Sequence, residues 1–228
     1  YFIANVAVHP DQRGRGIARQ LTERALRHVA EHNGSKVYLQ VREDNPVARH
    51  IYVAAGFNEF ARRTTWRFTP ASASKGLKAR PIGVRHTHPN DWEQQKDWLF
   101  ELYPPSISWN LPFRAGHLEP GFNAWLKRLP SGIQVRNWAL HLDNRLYGTL
   151  SWEKGAFQAD NLWLATSPVW EEEVISTLIP FVRQHLAKPA RAYLNYPASR
   201  GSEAFQRAGM ENFQTLLWME KTLPHSGN

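Results

Sequence analysis

Apolar and polar positions in the first 60 residues predict two strand–helix pairs. They form, in chain order, an apolar run at Val6–Val8, an amphipathic stretch that ends before Asn33-Gly34, an alternating strand pattern at Leu39–Arg42 and a helical period from Val47 to Ala55. The second helix is expected to stop at Gly56, with Phe57 packing back on it. Strands that alternate with helices are typical of an α/β fold.

The chain after residue 81 predicts a longer series of elements. Thr69 to Pro81 is small, polar and bounded by prolines, and it is interpreted as a linker. The series that follows is a strand from Ile82, a helix from Asn90 to Leu102, a helix around Phe122 to Leu129, two strands around Asp143-Asn144, a strand from Asn161 to Ala165, a helix from Trp170 to Leu186, a strand from Ala190 to Tyr196, a helix ending at Gly209 and final strands to Leu223. Asn90 and Glu93 resemble a capping box for the first helix.

An internal repeat relates the two parts of the chain. Residues 202–213 align without gaps on residues 49–60, at a constant offset of 153. The same offset carries Tyr52 to Phe205 and Asn45 to Ala198. We therefore predict a half-domain at 1–69, a linker at 70–81 and a complete domain at 82–224. The first copy would lack its amino-terminal half, which implies sequence upstream of Tyr1.

The turn before the first helix carries the chemistry most easily interpreted from sequence. Arg13, Gly14, Arg15 and Gly16 lie where backbone N–H groups have no intrahelical partner and the helix dipole is positive. Glycines let phosphate oxygens approach these amides, and the arginines add positive charge. The spacing matches neither the dinucleotide-binding nor the P-loop glycine pattern. A different pyrophosphate site is therefore predicted.

Two motifs in this part of the chain resemble those of the GCN5-related N-acetyltransferases (GNAT). Arg13-x-x-Gly16-x-Ala18 resembles the family's acetyl-CoA loop, and a second family pattern is met by Asn45, Ala48, Tyr52, Gly56 and Phe57. The resemblance implies a tandem GNAT-like acyl-CoA N-acyltransferase fold of the α/β (α+β) class. Such a fold has a mixed central sheet with flanking helices.

The resemblance also implies a reaction and a set of site residues. An acetyl group would pass from acetyl-CoA to a primary amine by direct attack through a tetrahedral intermediate. The proton donor to the thiolate would be Tyr52, and the acetyl-CoA contacts would come from Val6, Ala7, Val8, Arg13, Gly14, Arg15, Gly16, Ile17, Ala18 and Asn45. Asn45 before Pro46 is also a common helix cap, and Tyr52 taken alone is typical of a half-buried core residue.

Neither the general base nor the acceptor is identified by the sequence. The family branch that acetylates protein N-termini has a carboxylate where this chain has Gln40, and an amide cannot accept the proton. Glu43 and Asp44 are candidate substitutes, although carboxylates at a helix start also stabilise its dipole. A small amine, an aminoglycoside-like molecule and a peptide N-terminus remain open as acceptors.

The second repeat is predicted to be non-catalytic. Its loop after Pro168 carries Glu171, Glu172 and Glu173 in place of arginines and glycines. Three carboxylates satisfy the helix dipole themselves and repel a pyrophosphate.

Charge and composition narrow the other classes of function. Residues 1–80 hold 14 Lys and Arg against 6 Asp and Glu, whereas residues 81–228 hold 14 of each, so the net charge of +8 belongs to the first part. Nine of the ten tryptophans lie in the neutral part, which disfavours a nucleic-acid surface. A catalytically inactive CoA-binding or interaction protein is the other alternative.

Two further expectations concern metal and cellular context. His28 and His32 are spaced as metal ligands on one helix face, but no third ligand is evident, so no metal is predicted. The chain has no cysteine, so its composition does not indicate a redox compartment. It has no run of about 20 apolar residues, so a membrane partner is not expected. A cytoplasmic enzyme is expected, and a homo-oligomer is left open.

Overall fold

The computed structural model describes residues 1–69, 81–155 and 159–224. The chain divides into two compact units, which we describe separately. Unit 1 is formed within Tyr1–Thr64 and Gln214–Asn228, and unit 2 within Thr65–Phe213. The predicted segments 1–69 and 82–224 follow the repeat instead, and their boundaries remain a prediction.

Unit 1 is a mixed sheet with two helices. Its elements are β1 (Phe2–Ile3), α1 (Ile17–Glu31), β2 (Lys36–Arg42), α2 (Pro46–Ala54), residues 58–64 of β3 (Asn58–Phe68) and residues 214–222 of β9 (Met210–Thr222). The strand order is β1-β2-β9-β3. β1 is parallel to β2, and β2 is antiparallel to β9 from the pair Lys36↔Thr222 to the pair Arg42↔Leu216. The last strand of the chain therefore lies beside β2.

The core of unit 1 follows from the periods of its elements. In β2 every second residue is buried, as expected when one face of a strand packs on helices. The buried residues of α1 are Thr22, Leu26 and Val29, which share one face of the helix. The core cluster consists of Leu26, Val29, Val37, Leu39, Val41, Tyr52, Phe57, Leu217, Met219 and Leu223.

The prediction of a strand at Val6–Val8 is wrong. β1 covers Phe2–Ile3 alone, and residues 4–9 form no regular element. Asn5 has a φ of 57°, which is left-handed backbone and cannot continue a strand. The apolar run is thus set off from the sheet by one residue.

Unit 2 has a larger sheet and five helices within the described residues. Its elements are β4 (Val84–His86), α3 (Trp92–Leu102), α4 (Pro105–Ser108), α5 (Phe122–Arg128), β5 (Val135–Leu142), β6 (Arg145–Glu153), β7 (Asp160–Thr166), α6 (Glu171–His185), β8 (Ala192–Pro197), α7 (Ser202–Arg207) and the remaining parts of β3 and β9. The strand order is β9-β3-β8-β7-β6-β5-β4. β4 to β7 are antiparallel neighbours, and β7 and β8 are parallel.

Most elements predicted for this unit are present within two residues of their expected ends. The predicted hairpin turns at Asp143 and Asn144, both with left-handed φ. Two details are wrong. The capping box before α3 is formed by His88 and Asp91, and the predicted final strands are one strand, β9. Residues 70–80 of the predicted linker lie outside the described residues. None of the described helices is long and apolar enough to cross a membrane.

Candidate functional site

The loop between β1 and α1 has the backbone that its glycines predict. Gly14 and Gly16 have φ values of 78° and 74°, a conformation that residues with a Cβ rarely adopt. A Cβ at either glycine would meet no atom within 4 Å, so conformation rather than crowding requires glycine here. The loop therefore leaves open space in front of its backbone.

The amino terminus of α1 presents free amides. Gly16 precedes the helix without a side-chain cap, and the first turn contains no acidic residue. The backbone N–H groups of residues 14–19 donate to no atom of the described chain, and the first helical bond runs from Gln20 N to Gly16 O at 3.0 Å. Free amides and the positive end of the dipole together suit an anion.

Two exposed arginines lie beside this helix end in the sequence. Arg13 Nε lies 3.4 Å from Val8 O, and Arg15 Nη1 donates to Gln12 Oε1 at 3.0 Å. Both side chains are exposed, and neither forms an ion pair with a described carboxylate. Both arginines can therefore turn toward a bound anion.

The segment before the loop has unpaired backbone. The N–H groups of Val6, Ala7 and Val8 donate to no described residue, because the chain leaves β2 after Ile3. Amides that lack partners in an accessible segment can bind a ligand with peptide-like groups, as an added strand would. The expected exposed backbone is present although the expected strand is not.

Tyr52, the candidate proton donor, is a buried residue of unit 1. Its side chain is 9% exposed and packs edge-on to Phe57 at a centroid distance of 6.1 Å. The hydroxyl bonds no described residue, and it is not among the buried unpartnered polar atoms, so it reaches accessible space. Burial raises the pKa of the Tyr52 phenol. The phenol is therefore protonated at neutral pH and able to donate.

Asn45 caps α2, as one of its two interpretations predicts. Its Oδ1 accepts from Ala48 N at 3.1 Å, and Pro46 occupies the first helical position. The side-chain Nδ2 has no partner among the described residues and remains available as a donor.

The candidate bases are engaged in ion pairs. Glu43 lies 2.8 Å from Arg62, and Asp44 lies 2.7 Å from Arg42. The hydrogen bond from Arg42 lowers the pKa of Asp44, which makes it a weaker base. Each described side-chain carboxylate of unit 1 lies within 4.0 Å of a lysine, arginine or histidine nitrogen. A free carboxylate base is therefore absent from the described part of this unit.

The corresponding helix end in unit 2 is the start of α6, which carries acidic residues where the start of α1 has arginines and glycines. Glu171 at the start of α6 is buried, and its Oε2 accepts from Tyr196 Oη and from Arg200 Nε, both at 2.7 Å. Glu172 and Glu173 share the same first turn. Phe205, at the position of Tyr52, is fully buried. This unit thus neutralises its own helix end.

The histidine pair on α1 has the third neighbour that the sequence analysis missed. Ligand atoms of His28, Glu31 and His32 lie within 4.8 Å of one another. All three side chains are exposed, Glu31 pairs with Arg24 at 3.1 Å, and His32 Nδ1 lies 2.8 Å from His28 O. A third possible ligand therefore lies near the two histidines, contrary to the prediction, although Glu31 and His32 already have protein partners.

Comparison with known proteins identifies the segment that holds this site. The model of the Acetyltransferase (GNAT) family matches residues 1–57. This amino-terminal segment is therefore similar to the GNAT acetyltransferases. The match contains the loop, the cap of α2 and Tyr52.

Two relatives of this segment bear names that describe acetyl transfer. A mycothiol acetyltransferase of Tsukamurella paurometabola is 39% identical over 61 residues, which are 27% of this chain and 21% of that protein. A [ribosomal protein bS18]-alanine N-acetyltransferase of Escherichia coli K12 is 31% identical over 81 residues, which are 35% of this chain and 55% of that protein. The chain thus spans about a fifth to just over half of these relatives.

A solved structure extends the similarity of fold to nearly the whole chain. A tandem GNAT protein from the clavulanic acid biosynthesis pathway, without AcCoA, covers 99% of this chain and 76% of its own. Its TM-score is 0.58 at 16% sequence identity. The chain therefore has a GNAT-like fold, with a mixed central sheet and flanking helices.

Proposed function

We propose that this protein is an acetyl-CoA-dependent N-acetyltransferase that acts on a primary amine. The observation that carries the proposal is the free, arginine-flanked amino terminus of α1, which follows a segment of unpaired backbone. The names of the two relatives support acetyl transfer as the reaction. Acetyl-CoA supplies the thioester carbonyl that the amine attacks.

The donor would be held along one continuous surface of unit 1. The amides of Gly14 to Ala18 would bind the pyrophosphate, and Arg13 and Arg15 would turn onto it. The backbone of Val6 to Val8 would pair with the peptide-like pantetheine arm, and Asn45 Nδ2 would donate to the same arm. The backbone amides and Asn45 Nδ2 lack another described partner, so binding there would break no existing hydrogen bond. The two arginines would exchange exposed bonds to Val8 O and Gln12 Oε1 for bonds to the pyrophosphate.

Proton transfer would depend on Tyr52 and on the state of the amine. The Tyr52 hydroxyl would donate to the departing sulfur, because its raised pKa keeps it protonated. An unpaired amide of Val6–Val8 would polarise the carbonyl. Since each described carboxylate of unit 1 is paired, we infer that the acceptor amine loses its proton to solvent.

The acceptor would be a small-molecule amine or a peptide or protein N-terminus. The two relatives support one class each, through their names. We further propose a cytoplasmic enzyme that needs no metal, and leave a homo-oligomer open. A CoA-binding protein without activity is the second candidate, because no base is identified.

The direct test is binding and consumption of acetyl-CoA by the full chain. Gly16→Glu places a carboxylate at the anion site, so we expect at least a tenfold loss of acetyl-CoA affinity by calorimetry. Gly132→Glu is the matched control, since Gly132 also has a left-handed φ and open space for a Cβ, and it lies in unit 2. Unchanged affinity in a folded Gly16→Glu variant would refute the donor site.

A screen of amine acceptors then separates the two candidate functions. Consumption of acetyl-CoA that depends on a small amine or a peptide N-terminus is expected for the enzyme. Tight acetyl-CoA binding without turnover on either class would favour the inactive CoA-binding protein.

A further inference from the structure

Unit 2 contains a cavity that the proposed acetyl transfer does not use. Its volume is about 680 Å³, and it is lined by residues from β4, the start of α3, the β5–β6 hairpin and the segment before α6. Cavities of this size commonly hold small molecules. All of its lining residues belong to unit 2, whereas the candidate acetyl-CoA site belongs to unit 1.

A buried polar chain fixes one wall of the cavity. Arg85 Nε donates to His141 Nδ1 at 3.0 Å, and His141 Nε2 lies 2.9 Å from Asp91 Oδ1. Because His141 Nδ1 accepts, Nε2 carries the proton and donates to Asp91. Asp91 Oδ2 accepts from the backbone N–H of His88 at 2.8 Å. Asp91 and His141 are only 8% and 7% exposed, so this series of hydrogen bonds holds Arg85 in place.

The charge of the cavity is positive on balance. Arg85 and Arg145 both line it, and neither forms an ion pair with a described carboxylate. Asp91 is the carboxylate of the lining, and its two oxygens are occupied by His141 and the His88 amide. The guanidinium Nη groups of Arg85 therefore have no described partner. Two arginines in this state suit a phosphate or carboxylate group.

An aromatic pair forms another part of the lining. The rings of Tyr147 and Trp170 lie 4.3 Å apart at an angle of 47°. Trp170 is 42% exposed although it lines the cavity, so part of its ring is open to a ligand. A flat ring can stack on such a surface.

We propose that this cavity binds a small organic anion with a flat ring. Its phosphate or carboxylate group pairs with Arg85 and Arg145, and its ring packs on Trp170. The site is independent of the acetyl-CoA loop, and it gives unit 2 a ligand of its own.

Calorimetry on the full chain tests this site with two ring-bearing probes. Adenosine 5′-monophosphate represents the phosphate source and nicotinate the carboxylate source, with inorganic phosphate as the ringless reference. We expect one of the two ring-bearing probes to bind more tightly than inorganic phosphate. Arg145→Gln, at the exposed start of β6, and Arg85→Gln should each weaken that probe about tenfold or more, because each removes a charge-assisted hydrogen bond. Trp170→Ala should remove the advantage of the ring.

Two controls make the outcome decisive. Arg136→Gln removes an exposed arginine of the same unit outside the cavity, and binding should be unchanged. Gly16→Glu disables the proposed acetyl-CoA loop, and the probe should still bind. Loss of binding in Gly16→Glu with retention in Arg145→Gln would move the probe to the loop and overturn the proposal. The proposal is also overturned if neither ring-bearing probe binds the unaltered chain at millimolar concentration.

Discussion

At the residue scale, Tyr52 combines the packing of a core residue with an available hydroxyl. The phenol ring is packed with Phe57, as a core tyrosine would be, yet its hydroxyl has no described partner and reaches accessible space. No hydrogen bond of this hydroxyl within the described protein contributes to stability. The proposed donation to a leaving group would give the hydroxyl a role.

Tyr52→Phe is expected to separate catalysis from binding. The variant should lower kcat about 10- to 1000-fold, because general-acid help is typically of order 10²–10⁴ and water substitutes in part. Acetyl-CoA affinity and the unfolding free energy should change little. Steady-state kinetics and calorimetry measure both effects. Tyr193→Phe, which removes a hydroxyl from β8 in unit 2, is the control. Equal activity of Tyr52→Phe and the unaltered chain would exclude Tyr52 as the acid.

Tyr196 makes the stability of unit 2 depend on alkaline pH. Burial, and then the charge of Glu171, raise the pKa of this phenol above its usual value of about 10. The stabilisation is complete below about pH 10 and is lost above it, because the unfolded phenol ionises first.

Urea unfolding between pH 8 and 11 should show this loss. We expect the unfolding free energy to fall less steeply above about pH 10 in Tyr196→Phe, because phenylalanine has no ionisable hydroxyl. Glu171 keeps its bond from Arg200 in this variant. Tyr193→Phe should retain the slope of the unaltered chain. Identical slopes in all three proteins would contradict the assignment.

At the element scale, the sequence predicts helices better than the exposed strand. The helical period and Gly56 locate α2 within one residue, and Asn45 caps it as expected. The apolar run Val6–Val8 has the composition of a strand, but the left-handed Asn5 detaches it from β2. The hydrophobic pattern cannot reveal one left-handed residue, although asparagine adopts that conformation more often than most residues. The same lack of signal concealed His88 as the cap of the short turn before α3.

The conformation of the α1 loop can be tested apart from its charge. Gly16→Ala should destabilise the chain by about 1 kcal/mol, because a Cβ in left-handed backbone is strained even in open space. Gly116→Ala, without positive φ, should stay within about 0.5 kcal/mol. Thermal unfolding compares the two. A Gly16→Ala variant as stable as Gly116→Ala would mean that the loop does not hold its left-handed turn.

At the scale of the whole molecule, the repeat and the compact units divide the chain differently. The offset of 153 residues correctly aligns two helix ends, and Gly56 and Gly209 both have a φ of 85°. It does not show that residues 214–222 pair with β2, because strand partners depend on topology rather than on local pattern. The acceptor amine cannot be predicted from the sequence either, because the loop and Tyr52 belong to the proposed site of the acetyl donor.

Leu217 tests whether the last strand supports the first 64 residues. It is fully buried in the core cluster of unit 1 and lies opposite Val41 of β2. Leu217→Ala should cost about 2–5 kcal/mol of unfolding free energy, since it removes buried methyl groups and leaves a cavity. Hydrogen exchange should accelerate in residues 17–31 and 36–42 more than in residues 145–153 of unit 2.

Leu126→Ala is the control for this experiment, because Leu126 is 52% exposed and its truncation should leave both units unchanged. Faster exchange confined to residues 145–153 in Leu217→Ala would show that the end of β9 does not stabilise unit 1. Faster exchange in residues 17–31 would instead tie the helix that follows the proposed acetyl-CoA loop to a strand about 200 residues away in sequence. Acetyl-CoA affinity should then fall together with the stability of unit 1, since the free amides of the loop are ordered only while α1 is folded.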